Sequence, residues 1–126
     1  MGQRGLQYYQ EVTVTIPNNT AKSSRIVFDK VSGGVVIVPG AWTAANIGFY
    51  TGHEGDADTD FVPVRTSTGG YVEIKGISTG ASGAYPLPDE LENVGCFLIW
   101  SKNTGSTADV NQGGARNLKL SIRTKG

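Results

Sequence analysis

The chain has 126 residues and carries 11 Lys and Arg against 11 Asp and Glu, so its formal net charge is zero. This length predicts a single domain over residues 1–126 with one core of its own. Zero net charge removes the long-range attraction that a basic protein has for nucleic acid or for an anionic membrane, so neither is expected as a partner. The single cysteine, Cys96, excludes an internal disulfide.

The N-terminal residues 1–10 lack the apolar run of a signal peptide, and we expect that they could form an extended arm. Val12, Val14 and Ile16 then alternate with polar residues, which indicates a half-buried strand. Short strands follow at 25–29, 35–38, 47–50 and 61–64. The continuous apolar run at 35–38 predicts a strand buried on both faces, and Pro63 indicates an edge strand.

Residues 41–45 are predicted to form one helical turn, and 52–60 an acidic loop. The second half of the chain continues with short strands at 71–74, 84–87, 96–100 and 118–123, with one helical turn at 88–91 and a polar loop at 103–114. Short strands at roughly ten-residue spacing predict an all-β fold, an antiparallel two-sheet β-sandwich that is jelly-roll-like and has one or two single-turn helices. The strands at 35–38 and 97–99 should be central, with Trp42 and Trp100 largely buried.

The side chains that could carry catalysis are few. His53 is the only histidine, and its polar loop indicates a solvated side chain rather than a catalytic base. Asp89, Glu90 and Glu92 could be viewed as a glycosidase-type pair, but adjacent acids at the start of a helical turn more simply favour its N-terminus. We therefore predict no enzymatic activity, no catalytic residues and no cofactor.

The acidic loop at 52–60 is the candidate metal site of the sequence. Asp56, Asp58 and Asp60 alternate as at the start of a calcium-binding EF-hand loop. Phe61 stands where that loop needs glycine, and Ser67 where it needs glutamate. With one histidine and one cysteine, zinc has too few of its usual ligands. We predict a solvated acidic turn without a bound metal, and weak calcium binding is the alternative.

Several blocks of the chain resemble segments of small structural proteins of tailed phages, in the same order. The blocks are VIVPGAWTAA at 36–45, IGFY at 47–50, FVPV at 61–64, YPLPDEL at 85–91, FLIWS at 97–101 and VNQGGAR at 110–116. They cover most of the chain from residue 35 onward. The chain departs from the group in the loop at 101–109, and at Gly113 and Gly114, where alanines are commoner.

The resemblance implies a β-sandwich component of the phage head, a capsid decoration or cement protein. Its partner would be the major capsid protein, its form a homo-oligomer such as a trimer, and its location the virion, assembled in the host cytoplasm. Gln112 and Arg116 lie in the last matched block. We expect them to tie the 103–114 loop, Arg116 by bidentate hydrogen bonds.

The C-terminal part of the chain carries most of the candidate contact residues. From residue 102 onward it has five basic residues against one acid, and Lys119 and Arg123 alternate with apolar residues of the last strand. With Lys125, they are candidate contacts to an acidic capsid surface or to the acidic loop of a neighbouring copy; ordinary solvated charge is the alternative.

A second function remains open from the sequence, because a sandwich of this size can also be a carbohydrate-binding or receptor-binding module. Trp42 or Trp100 exposed in a groove would favour glycan binding. Buried tryptophans and a flat surface would favour decoration of a capsid.

Overall fold

The computed structural model describes residues 7–27, 31–79, 81–103 and 106–125. Within these ranges the chain forms nine strands: β1 (Gln7–Ile16), β2 (Ile26–Val27), β3 (Val31–Val38), β4 (Asn46–Thr51), β5 (Val62–Pro63), β6 (Glu73–Ile74), β7 (Gly83–Pro86), β8 (Cys96–Lys102) and β9 (Arg116–Lys125). Two short 3-10 helices, Asp58–Asp60 and Asp89–Asn93, are the helical elements of the described residues. The predicted all-β class is confirmed.

The strands form two antiparallel sheets. The first sheet has the order β1-β9-β3-β7, and the second has the order β2-β8-β4-β5, with β6 also paired to β4. β1 pairs with β9, β2 with β8, β3 with β7 and β4 with β5, as if one long hairpin had been rolled into two layers. This is the arrangement of a jelly roll. The strands predicted to be central, now β3 and β8, are interior strands of their sheets.

The core lies between the sheets and follows from the period-two alternation of their strands. Its members share an inward position and nearly complete burial; they include Val14, Ile16, Val36, Val38, Ile47, Phe49, Phe97, Ile99, Leu118, Leu120 and Ile122. Trp42 is fully buried with them, and its indole N–H donates to the carbonyl of Ala45 at 3.2 Å. Trp100 is also fully buried, so the predicted burial of both tryptophans is confirmed.

Three local predictions differ from the structure. β3 is not buried on both faces, because Ile37 on its outer side is 42% exposed. Residues 41–45 form a turn closed by the Trp42 N–H on the Pro39 carbonyl rather than a helical turn. β1 begins at Gln7, so residues 7–10 of the expected arm belong to a strand paired with β9; residues 1–6 lie outside the described ranges.

The two sheets differ in how their outer faces are covered. All seven residues of β8 are buried. On the side away from the core, Cys96 and Leu98 pack with Phe61 and Tyr50, which belong to the 50–72 region of the chain. The second sheet is therefore buried on both faces along β8, whereas the outer face of the first sheet leaves Ile37 exposed.

Candidate functional site

The outer face of the first sheet is the candidate docking surface, and we call it the open face. It holds a shallow depression lined by Glu11 and Thr13 of β1, Ile37 of β3, and Lys119 and Ser121 of β9. Lys119 stands at its centre, since it is the register partner of Thr13 on one side and of Ile37 on the other. The open face thus combines an exposed apolar side chain with an exposed cation.

The three basic residues predicted as contacts have different positions. Lys119 is exposed. Arg123 is partly buried, and its Nη2 donates to the Ser32 carbonyl at 3.1 Å. It packs on a bulge of β3 where Gly33 has φ 118°, and a Cβ on Gly33 would lie 2.9 Å from Nη2. Lys125 is the last residue of β9 and pairs with Gln7; its side chain lies outside the described part of the structure.

Gln112 and Arg116 meet at the turn that carries Trp42. Gln112 is fully buried, and its Oε1 accepts from the Thr43 N–H at 2.8 Å and from Arg116 Nε at 3.2 Å. Its Nε2 donates to the Thr43 carbonyl at 3.0 Å and to Ser101 Oγ at 2.9 Å. Arg116 Nη2 contacts Thr43 Oγ1 at 3.4 Å. One amide therefore connects the 39–45 turn, β8 and the start of β9.

The acidic loop is held by a cation from elsewhere in the chain. Arg25 donates through Nε to Asp58 Oδ1 at 2.8 Å, through Nη1 to the Glu54 carbonyl at 2.6 Å, and through Nη2 to the Asp56 carbonyl. Its guanidinium also lies 4.5 Å from the centre of the Phe61 ring. Among the described residues no group of three or more His, Cys, Asp or Glu side chains is placed to hold a metal ion.

The side chains considered for catalysis are dispersed. His53 is exposed in its loop. Cys96 is fully buried, and its Sγ lies 3.4 Å from the carbonyl of Gly52. Asp89 and Glu90 are exposed in the second 3-10 helix, where they occupy its first turn.

A buried polar cluster of Asn46, Glu73 and Lys102 was missed from the sequence. Lys102 is fully buried, and its Nζ donates to Glu73 Oε2 at 3.0 Å and to the Asn103 carbonyl at 2.9 Å. Asn46 Nδ2 donates to Glu73 Oε1 at 2.6 Å, and its Oδ1 accepts from the Gly76 N–H at 3.0 Å. Lys102 is one of the five basic residues that the sequence places in the C-terminal part. Because its side chain is buried, it does not contribute to the charge of the surface.

Aromatic rings cover this cluster. The Lys102 Nζ lies 5.1 Å from the centre of the Tyr71 ring and 5.5 Å from that of Trp100. Trp100 packs against β4 where Gly48 has no side chain; a Cβ at Gly48 would stand 2.7 Å from Trp100 Cε3. The sequence shows a lysine at the end of an apolar strand. No local pattern indicates that this lysine pairs with Glu73, 29 positions earlier.

Comparison of the chain with protein-family models, with curated proteins and with solved structures gave no match. In the ranges that the structure describes, no helix has the length and apolar character to cross a membrane. The geometry of the open face and of the buried cluster is thus the basis for assigning a function.

Proposed function

We propose that the protein is a non-enzymatic structural protein of a tailed-phage head, a decoration or cement protein that docks on the lattice of the major capsid protein through its open face. The observation that carries the proposal is the asymmetry of the sheets. β8 in the second sheet is buried on both sides, while the first sheet leaves Ile37 42% exposed beside Lys119. A flat face that mixes apolar and charged groups suits protein docking.

The size of the open face favours a repeating partner. β1 and β9 have ten residues each, which gives a length of about 33 Å, and four strands about 4.8 Å apart give a face of at most roughly 600 Å². Specific interfaces bury about 800 Å² on each partner. One open face is therefore smaller than the surface that each partner of a specific interface usually buries. A homo-oligomer such as a trimer would bind a repeating lattice through several open faces at once, and this avidity would raise its overall affinity.

The cation at the centre of the open face favours an acidic group of the capsid protein as its contact. Lys119 is exposed at the centre of the face. The acidic loop of a neighbouring copy is a poorer partner, because Arg25 already binds the Asp58 carboxylate and two carbonyls of that loop. Docking on the capsid places the protein in the virion.

The burial of the tryptophans supports decoration over the alternative. A glycan-binding module would expose Trp42 or Trp100 as a stacking platform. Both are 0% exposed. The jelly-roll fold occurs among viral capsid proteins and lectins alike, so this difference at the site favours the structural function.

The test uses heads of a phage that encodes this chain, purified from a deletion strain, with the protein added back. We expect the parent protein to decorate the heads, and Lys119→Glu and Ile37→Asp each to weaken binding about tenfold or more, which corresponds to about 1.4 kcal/mol. The difference in affinity between the parent and Lys119→Glu should become smaller at high salt. The reason is that screening weakens both the attraction of the parent and the repulsion of the variant. Lys75→Glu, at an exposed position outside the open face, is the matched control and should bind like the parent.

Two results would contradict the proposal. One is the absence of this chain from purified particles of the parent phage, measured by mass spectrometry. The other is decoration by the Lys119→Glu and Ile37→Asp variants as complete as that of the parent at both low and high salt.

A further inference from the structure

We propose that Lys102 and Asn46 become joined by an intramolecular isopeptide bond, which the folded chain forms itself with Glu73 as the proton-transfer group. Asn46 and Lys102 are direct register partners on β4 and β8. Glu73 on β6 is the partner of Gly48, two residues along β4 from Asn46. Because side chains two apart on a strand share a face, all three groups lie on the outer side of the second sheet.

Glu73 contacts both groups that would react. Its Oε2 is 3.0 Å from the Lys102 Nζ, and its Oε1 is 2.6 Å from the Asn46 Nδ2. One carboxylate can therefore take a proton from the amine and deliver a proton to the nitrogen that must leave, which is general acid–base catalysis at hydrogen-bond range.

The carbonyl group of Asn46 is also prepared for attack. Its Oδ1 accepts a hydrogen bond from the Gly76 N–H at 3.0 Å. A backbone N–H in this position polarises the carbonyl and stabilises the negative charge that develops on the oxygen when a nucleophile adds to Cγ.

The surroundings shield the three groups from water. Lys102 and Asn46 are 0% and 1% exposed, and the Glu73 side chain is 6% exposed. Attack on the carbonyl carbon requires an unprotonated amine, and Glu73 Oε2 is placed to accept the proton that the Lys102 Nζ gives up. The rings of Tyr71 and Trp100 cover the amine, which keeps out water that would compete with it.

The reaction balances without a further reagent. The Lys102 Nζ forms a bond to the Asn46 Cγ, and the bond from Cγ to Nδ2 breaks. The Lys102 ammonium loses two protons; with the leaving NH2 group they make one ammonium ion. Glu73 is returned as a carboxylate, and nothing is oxidised or reduced.

The intact mass of the purified protein tests this directly. We expect a mass below that of the sequence by one ammonia, about 17 Da. In a tryptic digest we expect no cleavage after Lys102 and a branched product in which 76–116 is joined to 31–65. A chain at its full sequence mass would overturn the proposal, as would a loss of ammonia that maps to a cyclised asparagine without a branched product.

Variants assign the roles. Glu73→Gln and Lys102→Met should each keep their full sequence mass, whereas Lys75→Met, at an exposed lysine directly after β6, should still lose ammonia. Asn46→Asp offers a carboxyl in place of the amide, so its loss should change to one water, about 18 Da. Far-ultraviolet circular dichroism checks that each variant is folded. Full linkage in Glu73→Gln would contradict the role given to Glu73.

Discussion

Gln112 shows what one buried side chain can hold together. Its amide contacts Thr43, Ser101 and Arg116, which belong to three different segments. A buried amide is stabilising only when its donors and acceptors are paired, and removing it leaves the partner groups without theirs. Gln112 is thus a structural residue of the sandwich, at the end where the 39–45 turn closes the core.

We expect Gln112→Ala to lower the free energy of unfolding by about 2–4 kcal/mol, because the Thr43 N–H and the Arg116 guanidinium both lose a buried acceptor. The measurement is the midpoint of chemical denaturation. The matched control is Asn111→Ala, at the exposed neighbouring position, with an expected change within about 0.5 kcal/mol. A loss below about 1 kcal/mol for Gln112→Ala would show that the network contributes little.

The burial of some side chains could be predicted from the sequence, and the burial of others could not. The burial of Trp42 and Trp100 follows from their apolar neighbours. The burial of Lys102 does not, since lysine is almost never fully buried unless it is paired. Its partner comes from β6, and a local pattern cannot reveal a side chain that only a long-range strand pairing brings close.

At the scale of the element, β4 and β8 depend on close contact across their outer faces. Gly48 is opposite Trp100 in the register, and a Cβ at Gly48 would lie 2.7 Å from Trp100 Cε3 and 2.9 Å from Lys102 Cδ. A rigid indole cannot move aside cheaply in a packed layer. The absence of a side chain at Gly48 is what lets the tryptophan lie against the strand.

We expect Gly48→Ala to destabilise the protein by about 1–3 kcal/mol through overpacking and to alter the near-ultraviolet circular dichroism of Trp100. Gly55→Ala is the matched control, because a Cβ there would meet nothing within 4 Å; its effect should stay within about 0.5 kcal/mol. If both variants unfold at the same midpoint with unchanged aromatic spectra, the contact at Gly48 does not constrain the strand.

Strands could be located from the sequence better than their exposure could be assigned. The apolar runs at 35–38 and 96–100 look alike, and each was predicted to be a central strand, which is confirmed. Only β8 is buried on both faces, because Phe61 and Tyr50 pack on its outer side. Whether a loop folds over a sheet depends on tertiary contacts, so an apolar run alone does not decide between one buried face and two.

At the scale of the whole molecule, the jelly roll joins residues that are far apart in the chain. β1 pairs with β9 along ten positions, and β4 pairs with β8 across the middle of the fold. The alternation of the strands predicted the two-sheet class, but the register that makes Asn46 the partner of Lys102 arises only when the hairpin is rolled up. The chemistry proposed for the buried cluster therefore depends on complete folding.

A covalent link between Asn46 and Lys102 would persist in the unfolded chain. The hydrogen bonds and ring contacts of the cluster would not. The link would close a loop from residue 46 to residue 102 in the unfolded chain. In the chain-entropy treatment used for disulfides, a loop of this size contributes about 4 kcal/mol to stability. We expect the parent protein to unfold at a higher denaturant concentration than Glu73→Gln, with a smaller dependence of the unfolding free energy on denaturant, because less surface becomes exposed.

The decisive comparison is made in concentrated guanidinium, where the hydrogen bonds and ring contacts of the cluster no longer hold the chain. There the hydrodynamic radius of the parent should be smaller than that of Glu73→Gln, measured by size-exclusion chromatography or light scattering. Asn46→Asp, which can form the same link with loss of water, should have the radius of the parent. Equal radii for all three unfolded chains would mean that Asn46, Glu73 and Lys102 stabilise the sandwich through hydrogen bonds and charge alone.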